Sequence, residues 1–178
     1  MGRTGTLAAA RDFIAIPGLP GYLWGDMRLV PYEYKHNARL MEIVKITEPW
    51  FEYNRASFDG MMAGREGFVL VASDGKIIGA ITFSNYQPGS DITIHCTVLS
   101  EYQKRWLTKA IYKQVFDVPF ITLGLERCGG FVIEGCTPQG FHERLGFKQE
   151  GTLRKFVKIK GEYRNVHIYG MLKEERRW

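Results

Sequence analysis

Strand-like and helix-like segments alternate along the chain once its first 28 residues are passed. Short apolar or β-branched runs recur, and between them stand segments whose apolar residues repeat at helical spacing. Such an order predicts an α/β (α+β) domain in which helices cover a sheet, because each element must bury one face against another. The predicted strands are residues 27–34, 68–72, 77–83, 91–99, 131–134, 147–159 and 163–172.

Helices are predicted from caps and periodicity. Asn37 is a capping-type residue, Thr47 with Pro49 fits the start of a second helix, and Thr137 with Pro138 fits the start of the last one. Gly146 suits the end of that last helix, since glycine adopts the left-handed backbone found there. The predicted helices are residues 37–46, 47–56, 103–116 and 138–145.

Residues 1–28 differ in composition from the rest of the chain. They are rich in Gly and Pro, and their large apolar side chains show no helical period. We therefore predict an N-terminal arm over residues 1–28 and a single domain over residues 29–178. The arm is expected to pack on its own domain or to hold a partner subunit, as in a homo-oligomer.

Cysteine, histidine and hydropathy patterns exclude several classes. Three cysteines without a Cys-x-x-Cys pair and four scattered histidines support neither a disulfide framework nor a metal site. No apolar run reaches membrane-spanning length, and the N-terminus lacks the pattern of a signal peptide. We expect a cytoplasmic protein with no membrane partner.

The charge is unevenly distributed. The formal net charge is +5, and residues 101–178 hold 15 Lys and Arg against 9 Asp and Glu. This excess favours anionic partners such as a phosphorylated cofactor, an acidic protein surface or nucleic acid. Nucleic acid is the least favoured of these, because the basic residues form no recognisable reading module.

The C-terminal third carries a specific motif. Residues 142–154 read His-Glu-Arg-Leu-Gly-Phe-Lys-Gln-Glu-Gly-Thr-Leu-Arg, and residues 161–166 continue with Gly-Glu-Tyr-Arg-Asn-Val. This stretch resembles the GNAT superfamily of acyl-CoA N-acyltransferases, in particular the subgroup that acetylates ribosomal-protein N-termini and spermidine-like amines. The resemblance implies a mixed central sheet of six to seven strands, about four helices, acetyl-CoA as co-substrate and direct transfer to a primary amine.

The same resemblance places the acetyl-CoA loop after the strand at residues 91–99. GNAT enzymes hold the pyrophosphate on backbone N–H groups of a Gln/Arg-x-x-Gly-x-Gly/Ala segment. Here Gln103 matches, whereas Trp106 and Thr108 replace the glycines, and an indole there is expected to obstruct the phosphate. Lys104 and Arg105 offer side-chain charge instead. The implied cofactor-binding residues are Val98, Leu99, Gln103, Lys104, Arg105, Trp106, Leu107 and Thr108.

Three residues are candidates for proton transfer. His142 stands where the family's Tyr often protonates the leaving thiolate, and an imidazole can serve as that acid. The base is His95 on the strand beside the acyl site, or alternatively Glu134. Cys136, near the same channel, is interpreted as a small buried filler. Direct transfer needs no nucleophile.

Two functions remain open at this level. One is an N-acetyltransferase acting on a protein N-terminus, a lysine or a small amine. The other is a catalytically inactive GNAT-fold interaction or structural protein, for which the altered glycine loop and the apolar arm resemble GNAT-like proteins encoded by tailed phages. A phage protein of this kind would act in the host cytoplasm or in the virion.

Overall fold

Seven strands are hydrogen-bonded in the order β1-β2-β3-β4-β5-β7-β6. The computed structural model describes residues 27–50, 52–136 and 140–177, so all but the end of the predicted arm lies outside the described residues. The strands are β1 (Met27–Pro31), β2 (Glu66–Ala72), β3 (Ile77–Gln87), β4 (Asp91–Val98), β5 (Arg127–Ile133), β6 (Lys148–Ile159) and β7 (Glu162–Leu172). Within the described ranges the α-helices are α1 (Asn37–Thr47), α2 (Arg55–Met62), α3 (Lys109–Asp117) and α4 (Phe141–Leu145). The predicted mixed sheet with about four helices is confirmed.

The chain forms two compact units, and β3 and β4 each run from one into the other. The first unit contains the described residues up to Ser84 together with 96–115. In it β1 pairs antiparallel with β2, and β2 pairs antiparallel with β3. Its core includes β2, which is apolar and buried from Phe68 to Ala72, with Val69 and Leu70 completely buried. Such a run is typical of a strand covered on both faces.

The second unit contains residues 85–95 and the described residues from Phe116 onward. Strand β7 lies between β5 and β6 and is antiparallel to both. Strand β4 pairs with β5 in parallel at Thr93 and Gly129. Arg127 at the start of β5 forms ion pairs with Asp91 and Glu150, which link β4, β5 and β6 at this edge of the unit.

The start of α1 is built differently from the prediction. Asn37 is the first helical residue rather than the cap, and its side chain is fully buried. Its amide Nδ2 donates to Asp59 Oδ1 at 2.8 Å, and its Oδ1 accepts a hydrogen bond from the Tyr32 hydroxyl at 2.5 Å. Asn37 therefore joins Tyr32, the residue after β1, to α2 instead of capping α1.

The predicted helix over residues 47–56 is wrong. Thr47 ends α1, where its hydroxyl lies 3.0 Å from the Ile43 carbonyl and 2.8 Å from the Thr97 hydroxyl. Helix α2 begins after Asn54, whose side chain accepts a hydrogen bond from the Ser57 N–H at 2.8 Å. An Asn N-cap satisfies a free backbone donor, and this outweighs the weaker preference for Pro49 at a first helical position.

The other elements differ from the prediction mainly at their ends. Strands β3 and β5 are longer than predicted, and α4 begins at Phe141 rather than at residue 138. The predicted Thr137 cap lies outside the described residues. Gly146 ends α4 with φ 106°, the left-handed conformation expected of a C-terminal glycine. Helix α3 begins at Lys109, six residues later than predicted, which changes the interpretation of the cofactor loop.

Candidate active site

The predicted cofactor-binding segment leaves the end of β4 as a series of tight turns. Val98 and Leu99 are buried, with 4% and 7% of their surface exposed, and the Leu99 N–H donates to the Ile78 carbonyl at 2.9 Å. Gln103 turns its amide back on the strand, where Nε2 donates to the Val98 carbonyl at 3.3 Å. The Gln103 side chain thus fixes the start of the loop.

The side chain of Trp106 is buried in the protein and does not lie on the surface of the loop. Its N–H donates to the Tyr102 carbonyl at 3.0 Å, and only 5% of the residue is exposed. The indole is therefore packed in the interior of the first unit, and its predicted effect on phosphate binding stays a prediction. Large aromatic side chains bury much apolar area, and this holds the turn against the core.

Thr108, which stands where the GNAT segment has a glycine or alanine, has a structural role at the start of α3. Its hydroxyl accepts a hydrogen bond from the Ile111 N–H at 3.2 Å, and its carbonyl accepts from the Tyr112 N–H at 2.9 Å. These are the two bonds of an N-cap, so Thr108 starts α3. Leu107, the residue before it, is half-buried.

Exposed cations surround this helix start. Lys104 and Arg105 in the loop and Lys109 at the first position of α3 are all exposed, and the Arg105 guanidinium lies over the Tyr102 ring at 5.0 Å. The N-terminus of a helix favours anions because its first N–H groups lack partners within the helix. The backbone and the side chains here therefore both favour negative charge.

His142 on α4 is enclosed by aromatic rings of the second unit. It stacks on Tyr169 with ring centroids 4.8 Å apart, and its edge meets Phe141 and Phe147 at 5.3 and 6.2 Å. Burial lowers the pKa of the imidazole, while the neighbouring Glu143 carboxylate raises it to a smaller extent. His142 is therefore mainly neutral at neutral pH.

The two candidate bases also lie in the second unit. His95 is half-buried in β4. Glu134 is exposed in the turn after β5, where its Oε2 accepts a hydrogen bond from the Asn165 N–H at 3.4 Å. The structure thus places His95, Glu134 and His142 in one unit, and residues 98–108 in the other.

Sequence reasoning missed a half-buried acidic group, Glu48, in the first unit. Glu48 follows α1, and its N–H donates to the Val44 carbonyl at 2.7 Å. Burial raises the pKa of its carboxyl, and the Arg65 guanidinium opposes that shift. The Glu48 charge in turn raises the pKa of the Tyr53 phenol, after burial itself. Glu48 sits outside every recognised motif, so only packing reveals it.

The thiols divide by environment. Cys96 in β4 is exposed, but the surrounding protein, with Glu48 adding a smaller effect, raises the pKa of its thiol to about 12. Cys128 is fully buried. Cys136 is exposed, so its interpretation as a buried filler is wrong.

The described part of the chain holds neither a metal-binding cluster nor a membrane-spanning helix. No group of three or more His, Cys, Asp or Glu residues there is arranged to hold a metal ion. None of its helices is both long and apolar enough to cross a membrane.

A mixed sheet in which β4 and β5 run parallel, with a turn that leads from β4 to a cation-rich helix start, is the GNAT type of fold. Comparisons with known proteins agree. One curated relative, the SPbeta prophage-derived uncharacterized N-acetyltransferase YokL of Bacillus subtilis strain 168, is 31% identical over 110 residues. That match spans 61% of this chain and 62% of the relative. No family model matches the chain.

Solved structures show the same fold at low sequence identity. The spermidine/spermine N-acetyltransferase SpeG of Vibrio cholerae superimposes with a TM-score of 0.68 at 17% identity, covering 84% of this chain and 95% of that one. The ribosomal-protein-S5-alanine acetyltransferase of Vibrio fischeri gives 0.68 at 16% identity, covering 88% and 98%. The resemblance to the GNAT superfamily is thereby confirmed at the level of the fold.

Proposed function

We propose that this protein is an N-acetyltransferase that moves an acetyl group from acetyl-CoA to a primary amine by direct transfer. The observation that carries the proposal is the cation-rich start of α3, directly after β4, in a fold shared with acetyltransferases. The acceptor class comprises a protein N-terminus, a lysine or a small amine.

The residues present fit acetyl-CoA. Because Trp106 is buried, its indole does not lie on the exposed surface of the loop. The N–H groups of Lys109 and Ala110, which precede the capped Ile111 N–H, would bind the phosphates together with the side chains of Lys104, Arg105 and Lys109. Val98, Leu99 and Gln103 position this loop, and Leu107 and Thr108 lead into the helix. Acetyl-CoA supplies the electrophilic thioester carbonyl.

A primary amine must lose a proton to attack. His95 and Glu134 are the two candidate bases, and both are accessible to solvent, so a proton taken from the ammonium can pass to water. His142 is the candidate acid for the departing thiolate. Because burial lowers its pKa, only a minor fraction carries the required proton at neutral pH.

Glu48 supplies a site for the amine itself. A carboxylate with reduced solvation gains more from a cation than an exposed one does, because the interaction is less screened. Its pKa is raised in the free protein, and a bound ammonium would lower it again by stabilising the ionised form. This role fits an amine acceptor rather than a neutral one.

Titration calorimetry with acetyl-CoA tests the cofactor, and release of free CoA thiol in the presence of spermidine or a peptide with a free N-terminus tests the reaction. Saturable binding and amine-dependent release are expected. An N-acetylated peptide without lysine is the matched control and should be inert. No heat at millimolar acetyl-CoA with the folded protein would contradict the proposal and favour the inactive interaction protein.

Glu48→Gln tests the amine site separately. We expect a higher KM for the amine with little change in acetyl-CoA affinity, since Glu48 lies outside the loop proposed for acetyl-CoA. Glu52→Gln, at an exposed position of the same connection, is the control and should behave as the parent. An equal rise in KM for both variants would indicate nonspecific electrostatics.

A further inference from the structure

Strands β6 and β7 continue into an exposed two-stranded hairpin. Residues 154–164, called here the cationic ribbon, include nine exposed residues, and the remaining two, Val157 and Ile159, are half-buried. The ribbon closes at a turn in which Lys160 and Gly161 both have positive φ. Two-stranded ribbons are marginally stable alone, so a well-formed one on a surface calls for an explanation.

A bulge sets the orientation of the ribbon. The register shifts between Leu153 and Val157, Lys155 has a positive φ, and its N–H donates to Asn165 Oδ1 at 2.9 Å. Bulges re-aim the side chains that follow them and are retained features rather than defects. Beyond the bulge the pairing is regular, with Lys158 opposite Tyr163.

One face of the ribbon presents aromatic rings and a cation together. Alternation places Phe156 and Lys158 on the same face as Tyr163, and the Lys158 ammonium lies over the Tyr163 ring at 5.6 Å. Phe156 is 66% exposed and Tyr163 is 61% exposed. Two large rings left in water on one face are a sign of an interaction surface.

The charge of the ribbon is strongly one-sided. Five cations, Arg154, Lys155, Lys158, Lys160 and Arg164, stand against the single carboxylate of Glu162. Of these five cations only Arg164 has an ion-pair partner among the described residues, namely Glu162 at 2.7 Å on the opposite face. The face with the two rings therefore carries uncompensated positive charge.

We propose that the cationic ribbon binds single-stranded nucleic acid. Cations that meet phosphates and rings on which bases stack are the two elements that sequence-independent binding of single strands requires, and no reading module is needed. A second copy of this chain is a poorer occupant, because a two-fold contact would bring the same cations together. The surface belongs to the second unit and is independent of the proposed acetyl transfer.

Fluorescence anisotropy with the full chain tests the proposal, using labelled oligouridylate and oligothymidylate of about 20 nucleotides, enough to span one binding site. Saturable binding that weakens between about 50 and 200 mM salt is expected. Replacing Phe156 and Tyr163 by Ala should weaken binding at least about tenfold, the scale of lost base stacking. Phe156→Tyr with Tyr163→Phe keeps both rings and should preserve binding.

Replacing Lys155, Lys158 and Lys160 by Ala should remove three phosphate contacts. Each contact contributes about 0.7 to the slope of log affinity against log salt, so the slope should become shallower by about 2. Ile121→Ala and Lys45→Ala, at exposed positions outside the ribbon, are the matched controls and should bind as the parent. Equal binding by all variants, or none by the folded parent, would overturn the proposal. So would competition by polyglutamate as effective as by the oligonucleotides, or ribbon variants that alter sedimentation.

Discussion

The imidazole of His142 lies flat against the phenol ring of Tyr169, with centroids 4.8 Å apart and planes inclined by 27°. The Tyr169 hydroxyl donates a hydrogen bond to Glu143 Oε1 at 3.1 Å, so two neighbouring residues of α4 are held on the same side chain of β7. His142 therefore has a packing role as well as the proposed proton-donating role. Measurements of folding stability and of turnover distinguish the packing role from the proton-donating role.

The free energy of unfolding should decrease as the pH is lowered, because His142 is buried in its neutral form. Burial holds the pKa of the folded imidazole below its ordinary value, so below about pH 6.5 the unfolded chain binds a proton that the folded protein does not. The stabilising contribution is complete above that unfolded pKa and is lost as the pH falls through the folded one. His142→Phe, which retains a ring, should flatten this part of the profile. Denaturant midpoints between pH 8 and pH 5 measure it, and identical slopes for variant and parent would contradict the assignment.

Turnover should depend on His142 if it is the acid. His142→Ala is expected to lower kcat by about 10²-fold, the usual contribution of one proton-transfer group, with acetyl-CoA affinity nearly unchanged. An acid must be protonated, so the rate of the parent should fall as the pH rises through the lowered pKa of His142. His142→Tyr should restore part of the rate and shift this fall to higher pH. A structural histidine would instead lose stability while turnover per folded molecule stayed constant.

Trp106 should act through stability rather than through the cofactor. Trp106→Ala removes an almost fully buried indole, and we expect a loss of about 3–5 kcal/mol in the free energy of unfolding. Acetyl-CoA should not bind more tightly, because the ring does not cover the loop. Denaturation and calorimetry below the unfolding transition measure both. Lys104→Ala is the matched control, with unchanged stability and weaker acetyl-CoA binding.

The buried position of Trp106 separates the features that the sequence could predict from those that it could not. The succession of strands and helices along the chain and the GNAT resemblance rest on hydrophobic periodicity and a local motif. Both involve neighbouring residues, so the sequence was enough to predict them. The direction of a single side chain depends on the turn that carries it. The turn at Trp106 is closed by a hydrogen bond from its N–H to the Tyr102 carbonyl, and no spacing of residues in the sequence indicates that bond.

Long-range packing explains the other differences. Asn37 looks like a cap, but Tyr32 and Asp59 offer its amide buried partners. Glu48 becomes unusual only because folding encloses it near Arg65 and Cys96. Environments assembled from three separate segments leave no periodic trace in the sequence.

Thiol reactivity tests that environment directly. The pKa of Cys96 is about 12, so at pH 8 very little thiolate is present, and in a Cys136→Ser background Cys96 should react with a disulfide reagent more than about tenfold slower than free cysteine. Part of the shift comes from the Glu48 charge, which disfavours a second negative charge beside it. Glu48→Gln should therefore lower the Cys96 pKa and speed the reaction, whereas Glu52→Gln should leave the rate unchanged. If Glu48→Gln leaves the rate of Cys96 as it was, the two groups are not coupled, and the enclosed carboxylate loses its support as a site for the amine.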